Sequence, residues 1–288
     1  MAEESPAEAQ PSADAAKLAP TEATLEASEQ LDRLDVAGVL ATIHAQDREA
    51  VAAVERILPA IERGVAILAE VLGGDGRWIN VGAGTSGRMG VLDAAEIPPT
   101  FGLAPDRVVG VIAGGPEALW RSIEGAEDDP AAARADLRAH GLGPRDAVLA
   151  ISASGRTPYA LAALASAADA GARRLALTCD PGSPLAAAAE LALVPEVGPE
   201  VIAGSTRMKG GLAQKMVLHL LSTATLVRLG RVEGNRMIHL RPVSEKLRRR
   251  ARRIVAELGG VDEARAEALL AACDGQVAAA LEQARREG

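Results

Sequence analysis

The stretch Arg77-Trp78-Ile79-Asn80-Val81-Gly82-Ala83-Gly84-Thr85-Ser86-Gly87-Arg88 decides the fold. Its first five residues form a short apolar run with little alternation, the pattern of a strand buried on both faces. Gly82, Gly84 and Gly87 then make a G-x-G-x-x-G turn that opens a helix. Four further runs repeat the theme: Arg107–Ala113, Ala147–Ile151, Arg174–Thr178 and Leu191–Pro195. Helical stretches separate them. Strands alternating with helices predict an α/β fold, a three-layer αβα sandwich around a five-stranded parallel sheet.

Upstream, residues 36–72 read as two helices, Val36 to Gln46 and Asp47 to Leu72. Val51, Val54, Leu58, Ile61, Val65 and Leu68 recur at three- and four-residue steps and make an apolar stripe. Gly73-Gly74 ends it. Downstream, a long helix is expected over Arg207 to Leu229. Pro242 marks a boundary, followed by three short helices near 244–258, 262–272 and 274–286, with Asp262 and Asp274 as N-caps. The expected division is an acidic, disordered tail over 1–20, an α/β domain with N-terminal helices over 21–241, and a small helical domain over 242–288.

Composition narrows the function. The chain has 288 residues, 48% of them hydrophobic and only 1% aromatic, so Ala, Leu and Val build the core and base-stacking surfaces are disfavoured. Net charge is −8, and residues 1–30 hold seven acids against one lysine, which leaves the folded body near neutral. No global basic footprint for nucleic acid is present. Two cysteines, Cys179 and Cys273, give no disulfide framework or metal motif. No apolar run is long enough to span a bilayer and no secretory signal pattern opens the chain, so a cytoplasmic protein is expected.

In a parallel sheet, ligands sit beyond the C-terminal ends of the strands. After the first strand, the glycine pattern is compatible with a dinucleotide pyrophosphate on a helix N-terminus. A dinucleotide site also needs an acid at the end of the second strand, where this chain has Ile112-Ala113-Gly114-Gly115. Thr85 and Ser86 suit a sugar or phosphate instead; a capped tight turn is the plainer alternative. After the third strand, Ser152-Ala153-Ser154-Gly155-Arg156-Thr157-Pro158 sets three hydroxyls, Ser152, Ser154 and Thr157, around a glycine at a helix start. One hydroxyl is enough for a cap, so three argue for an anion. After the fifth strand, Ser205, Thr206, Arg207 and Lys209 offer hydroxyls and cations to a phosphate or carboxylate.

Among acids, Glu96 lies near a helix C-terminus, where a carboxylate is unfavourable by dipole. Partial burial there would tune it for acid–base work. Glu124 and Glu127 read as a solvated acidic stretch, and the residues by themselves do not choose among these acids. His44, His140, His219 and His239 have no metal-ligand spacing, and no nucleophile elbow appears, so neither metal nor cofactor is expected. The basic run Lys246 to Arg253 shares its helix with Leu247, Ala251, Ile254 and Val255, which reads as an amphipathic surface helix.

Taken together, the hydroxyl-rich loops resemble the sugar isomerase (SIS) domain, which binds phosphosugars. More closely, the chain is similar to the N-acetylmuramic acid 6-phosphate etherase family of bacterial cell-wall recycling. The matching stretches are Val81–Gly90, Leu92–Gly102, Ile112–Gly115, Glu124–Asp128, Ser154–Tyr159 and Val197–Lys209, with Ala213-Gln214-Lys215 and Glu245-Lys246-Leu247. The likeness runs over roughly 21–288. It implies a carbon–oxygen lyase that frees D-lactate from its phosphosugar, with Glu96 as acid and Glu127 as the better candidate for base, the reverse assignment being the alternative. Ser152, Ser154 and Thr157 would hold the phosphate, and Thr85 and Ser86 would contact the sugar or the phosphate. Ser205, Thr206, Arg207 and Lys209 would stand behind them, and a homodimer is implied. Gly210-Gly211-Leu212 departs from the family's Ala-Gly-Thr, which predicts altered affinity with the reaction unchanged. A phosphosugar isomerase is the nearest alternative and a non-catalytic phosphosugar sensor the next. Intact Glu96 and Glu127 favour the lyase, since a sensor needs neither.

Overall fold

The computed structural model describes residues 19–240 and 242–287; residues 1–18, most of the expected acidic tail, lie outside them. Two helices come first, α1 (Val36–Arg56) and α2 (Leu58–Gly73). The break falls after Arg56, not at Gln46-Asp47 as the sequence reading has it. Pro59 explains the shift: it lacks an amide hydrogen, so it fits the first turn of α2 and cannot continue α1.

The α/β body then alternates β1 (Trp78–Gly82), α3 (Gly84–Phe101), β2 (Val108–Ile112), α4 (Pro130–Ala139), β3 (Ala147–Ile151), α5 (Pro158–Asp169), β4 (Arg173–Leu177), α6 (Pro184–Ala188) and β5 (Leu191–Leu193). The long helix α7 (Lys209–Arg228) follows, then a two-stranded hairpin that sequence reading missed, β6 (Val232–Glu233) and β7 (Arg236–Met237). Three helices close the chain: α8 (Glu245–Gly259), α9 (Glu263–Ala272) and α10 (Val277–Glu287). Asp262 caps α9 through the Arg265 amide at 2.7 Å. Asp274 does not act as the expected cap; it stands at φ 51°, three residues before α10.

All five strands of the main sheet are parallel, in the order β2-β1-β3-β4-β5. The five-stranded α/β sandwich read from the sequence is therefore the observed fold. Alternation sorts the strand side chains to two faces. Trp78, Leu149, Ile151, Leu175 and Leu193 pack with α2, α3 and α7 in one core; Ile79, Val81, Val148 and Ala150 pack with α4 and α5 in the other. A third apolar cluster, including Leu240, Ile254, Val255, Leu269 and Leu281, holds α8, α9 and α10. The helix after β1 lies on one face and the helix after β3 on the other, so the chain switches direction between these neighbours and opens a crevice at their C-terminal ends. No helix among the described residues is long and apolar enough to cross a membrane.

The N-terminal ends of the two central strands are tied by charge. Buried Asp146 accepts from the Arg77 backbone amide at 2.9 Å, from Arg77 Nη2 at 2.6 Å and from the Gly143 amide at 3.0 Å. Burial pushes the Asp146 carboxyl up, but the bonds from Arg77 and Gly143 outweigh it and hold the carboxyl below its usual range. A depressed carboxyl stabilises the fold above its unfolded pKa, about 3.9, and that stabilisation is lost as pH falls through the lower folded value. Asp146→Asn is therefore expected to lower stability by about 2 kcal/mol at pH 7. Urea unfolding across pH should show the gap to the unsubstituted protein shrinking below about pH 4; a gap that is constant with pH contradicts this role.

Candidate active site

The crevice at the C-terminal ends of β1 and β3 is built on close backbone approach. A Cβ on Gly82 would lie 2.8 Å from the Gly87 amide nitrogen and 2.9 Å from the Ile151 carbonyl oxygen; one on Gly87 would lie 2.6 Å from the Gly82 oxygen. Two glycines of the G-x-G-x-x-G pattern thus serve to seat α3 against β1. Beta-strand β2 ends at Ile112 and runs into Ala113-Gly114-Gly115, with no acid to take a ribose hydroxyl.

Two loops meet at this seat. Thr85 and Ser86 start α3, whose N-cap residue, Ala83, offers no side-chain cap. Ser86 is buried, and its Oγ donates to Gln214 Oε1 of α7 at 3.0 Å. Across the crevice, Ser152 Oγ and Thr157 Oγ1 are 2.9 Å apart, and Ser152 Oγ and Ser154 Oγ are 3.5 Å apart. The Gly155 amide donates to Ser152 Oγ at 3.1 Å. Gly155 itself has φ +64°, and a Cβ there would strike Ser183 Oγ and Thr178 Oγ1. Thr157 is the N-cap residue of α5 yet makes no side-chain cap bond. The Thr157 hydroxyl thus meets Ser152 in place of capping α5, Ser154 Oγ accepts from the Arg156 amide at 3.3 Å, and three hydroxyls gather at a helix start that has no side-chain cap.

The third loop enters from α7. Ser205 and Thr206 are partly buried and Arg207 is exposed. Lys209, expected to offer its cation to a phosphate or carboxylate, is instead 3% exposed, and its Nζ donates to Gln46 Oε1 of α1 at 2.7 Å. Buried Glu200 accepts from the Lys209 and Gly210 amides at 3.1 and 2.8 Å and so caps α7 with a carboxylate. Burial raises the Glu200 carboxyl despite these bonds, and burial lowers the Lys209 ammonium despite Glu200. Gly210 meets this cap closely, since a Cβ there would lie 3.2 Å from Glu200 Oε1. Gly211 packs on the loop of α3, its would-be Cβ 3.3 Å from Thr85 Cγ2. Leu212 packs against the core.

The two glutamates are not brought together. Glu127 stands in a helical turn, Ala126–Asp128, on the connection from β2 to α4, which touches α5. It is exposed, and the neighbouring Asp129 is engaged as the cap of α4. Glu96 lies eleven residues beyond Thr85 on α3, about 16 Å down the helix axis at 1.5 Å per residue. It too is exposed, so the partial burial expected of it is not met within one chain. Sequence reading missed Glu200 and Gln214 as parts of the site; the only local signal was that Glu200 precedes a hydroxyl-rich loop.

Comparison with known proteins gives this geometry a family. The chain is 50% identical over 261 residues to the N-acetylmuramic acid 6-phosphate etherase of Symbiobacterium thermophilum, covering 91% of this chain and 87% of that one. It belongs to the N-acetylmuramic acid 6-phosphate etherase family. The etherase of Rhodopirellula baltica is 46% identical over 91% of the chain and 86% of its own length. Residues 60–168 match the glucokinase regulatory protein N-terminal SIS domain, and residues 130–224 match the SIS domain. Among solved structures, the phosphoheptose isomerase of Neisseria gonorrhoeae superposes with a TM-score of 0.51 at 18% identity, over 69% of this chain and all of that one. That likeness concerns the fold, which is of the SIS type. Etherases of this family are carbon–oxygen lyases, and the resemblance read from the motifs is thereby borne out.

The Ser86–Gln214 bond ties the start of α3 to α7. Gln214 is 1% exposed and its Nε2 is already without a partner. Ser86→Ala leaves the whole amide buried and unpaired, at a cost of about 1–3 kcal/mol. Thermal denaturation of Ser86→Ala should show a lower midpoint, and an unchanged one would mean that the bond does not hold the loop.

Proposed function

We propose that this protein cleaves the lactyl ether of N-acetylmuramic acid 6-phosphate by elimination and hydration, giving N-acetylglucosamine 6-phosphate and D-lactate. The observation that carries the phosphosugar part is the Ser152–Ser154–Thr157 cluster, with its three converging hydroxyls and the uncapped start of α5. Hydroxyl and backbone donors on a helix N-terminus suit a dianionic phosphate. Thr85 and Ser86 then meet the sugar; Ser86 spends its proton on Gln214 and keeps lone pairs for a substrate hydroxyl. Arg207, exposed and cationic, takes the lactyl carboxylate, flanked by Ser205 and Thr206. Lys209 acts behind them, through Gln46 and the α7 terminus, in place of touching substrate.

The sugar reacts in its ring-opened form, so that C2 lies beside an aldehyde. Glu127 removes the C2 proton and the charge passes into the aldehyde as an enolate. The C3–oxygen bond breaks, lactate leaves and Glu96 protonates its oxygen. Water then adds to C3 of the unsaturated aldehyde, and the proton returns to C2. One carboxyl as base and one as acid suffice. Asp128 stands beside Glu127 in the same turn and is a second candidate for the base.

Glu96 is too far down α3 to serve the hydroxyl loops of its own chain. We propose that it serves the site of a second copy in a homodimer. The exposed face of α3 supports this: Leu92, 45% exposed, lies one turn before Glu96. Trp120 and Ile123, also exposed, lie on the segment leading to Glu127. Apolar side chains around a working acid fit a surface that another chain covers.

The assay is D-lactate release from N-acetylmuramic acid 6-phosphate. Glu96→Gln and Glu127→Gln should each lose at least about a hundredfold in kcat. Full activity in Glu127→Gln with loss in Asp128→Asn moves the base by one residue. Mixing inactive Glu96→Gln and Thr157→Ala proteins, after unfolding and refolding together, should restore about a quarter of wild-type activity if each site draws on two chains. No restoration assigns Glu96 to its own chain.

A further inference from the structure

One buried charge is left unused by this scheme. Asp93 lies on α3, one turn before Glu96, and is 5% exposed. Its Oδ1 accepts from Ser222 Oγ at 3.2 Å and pairs with Lys215 Nζ at 3.6 Å, both on α7. Its Oδ2 is buried without a hydrogen-bond partner. A buried carboxyl with one orphaned oxygen weakens a fold, and a core residue would serve packing better. Its retention at this place calls for a role other than stability.

The helix around Glu96 shows what that role is. Pro98 and Pro99 stand inside α3. Neither has an amide hydrogen, so the carbonyls of Ala94 and Ala95, on the turn that carries Glu96, receive no helical bond. The helix's own ladder is therefore two bonds short there. Its polar ties to α7 are Ser86–Gln214 at the start and Asp93–Lys215–Ser222 in the middle, and Asp93 is the nearer to Glu96. We propose that Asp93 is a positioning residue for the etherase reaction: with Lys215 and Ser222 it clamps α3 to α7 and fixes the height and rotation at which Glu96 leaves the helix. This rests on the reading of Glu96 as the acid. Burial raises the Asp93 carboxyl, against the pull of Lys215, Ser222 and His219. A raised carboxyl makes the native state bind more protons than the unfolded one, so stability falls as pH rises from the unfolded pKa through the folded one. The clamp is kept at a cost in stability, as is common at functional sites.

The test compares Asp93→Asn, Lys215→Met and Lys215→Arg with the wild type by steady-state lactate release and thermal denaturation. Asp93→Asn removes the charge but keeps the shape. Its kcat should fall about ten- to a hundredfold with KM within about twofold, because misplacing one group by about 1 Å has this effect. Its melting temperature should hold or rise. Lys215→Met should lose similarly, and Lys215→Arg should regain most of the rate. In a Glu96→Gln background, Asp93→Asn should change the residual rate less than about twofold, since it acts through Glu96. Undiminished kcat in Asp93→Asn, or the same fold-loss in the Glu96→Gln background, overturns the clamp while leaving the reaction standing. A kcat loss accompanied by a melting drop of several degrees would make Asp93 merely structural. A wild type that releases no lactate overturns the reaction and the clamp together.

Discussion

The approach of α3 to β1 sets the rest of the molecule. Gly82 and Gly87 bring helix and strand so close that a methyl group on either would fall within 3 Å of backbone. That contact aims the first turn of α3 at the crevice between β1 and β3 and so puts Thr85 and Ser86 at its mouth. It also sets the line along which Asp93 and Glu96 follow. Because α3 is a rod, the seating of its first turn determines where its fourth turn emerges.

Helix α7 completes what that seat begins. Its N-terminus is held by the buried Glu200 carboxylate, its first turn is pinned to α1 through Lys209 and Gln46, and Gln214, Lys215 and Ser222 hold α3. These are polar ties in an interface that is otherwise apolar, and two of the groups, Asp93 and Gln214, are incompletely satisfied. Apolar packing of Ala and Leu, which makes up most of this core, permits sliding and rotation. Hydrogen-bonded groups in a low-dielectric interior specify one arrangement and make the alternatives expensive. Polar contacts to α7 thus add to the backbone ladder of α3, from which two prolines remove donors.

The same layout separates the candidate residues. The hydroxyl loops and Glu127 lie on loops beyond the C-terminal ends of the strands, while Glu96 stands about 16 Å down α3 from Thr85 on a face carrying exposed Leu92. An anion-binding cradle needs backbone amides and hydroxyls from neighbouring loops, which one sheet supplies.

Much of this was legible locally. Apolar runs without alternation located all five strands to within one or two residues, because burial on both faces leaves that mark on each strand alone. Glycine, proline and hydroxyl residues marked the loops, since turn geometry and capping are also local demands. The Pro59 helix break was equally local and was simply outweighed by the apolar stripe running through it. Other features had no local trace. The hairpin at Val232–Met237 is two residues per strand, too short for periodicity to register. Ser86 meets Gln214 across 128 residues and Asp93 meets Ser222 across 129, so neither segment alone says that its polar side chain has a buried partner. Lys209 reads as a ligand for an anion until Gln46 of α1 is seen to take its ammonium. The sequence by itself determined the five main strands, their parallel arrangement and the chemical kinds of side chain at the strand ends, because these follow from short-range sterics and burial. Which of those side chains meet, which are spent on one another, and how far Glu96 lies from the loops were decided only by tertiary packing, because contact between distant segments is a property of the assembled layers.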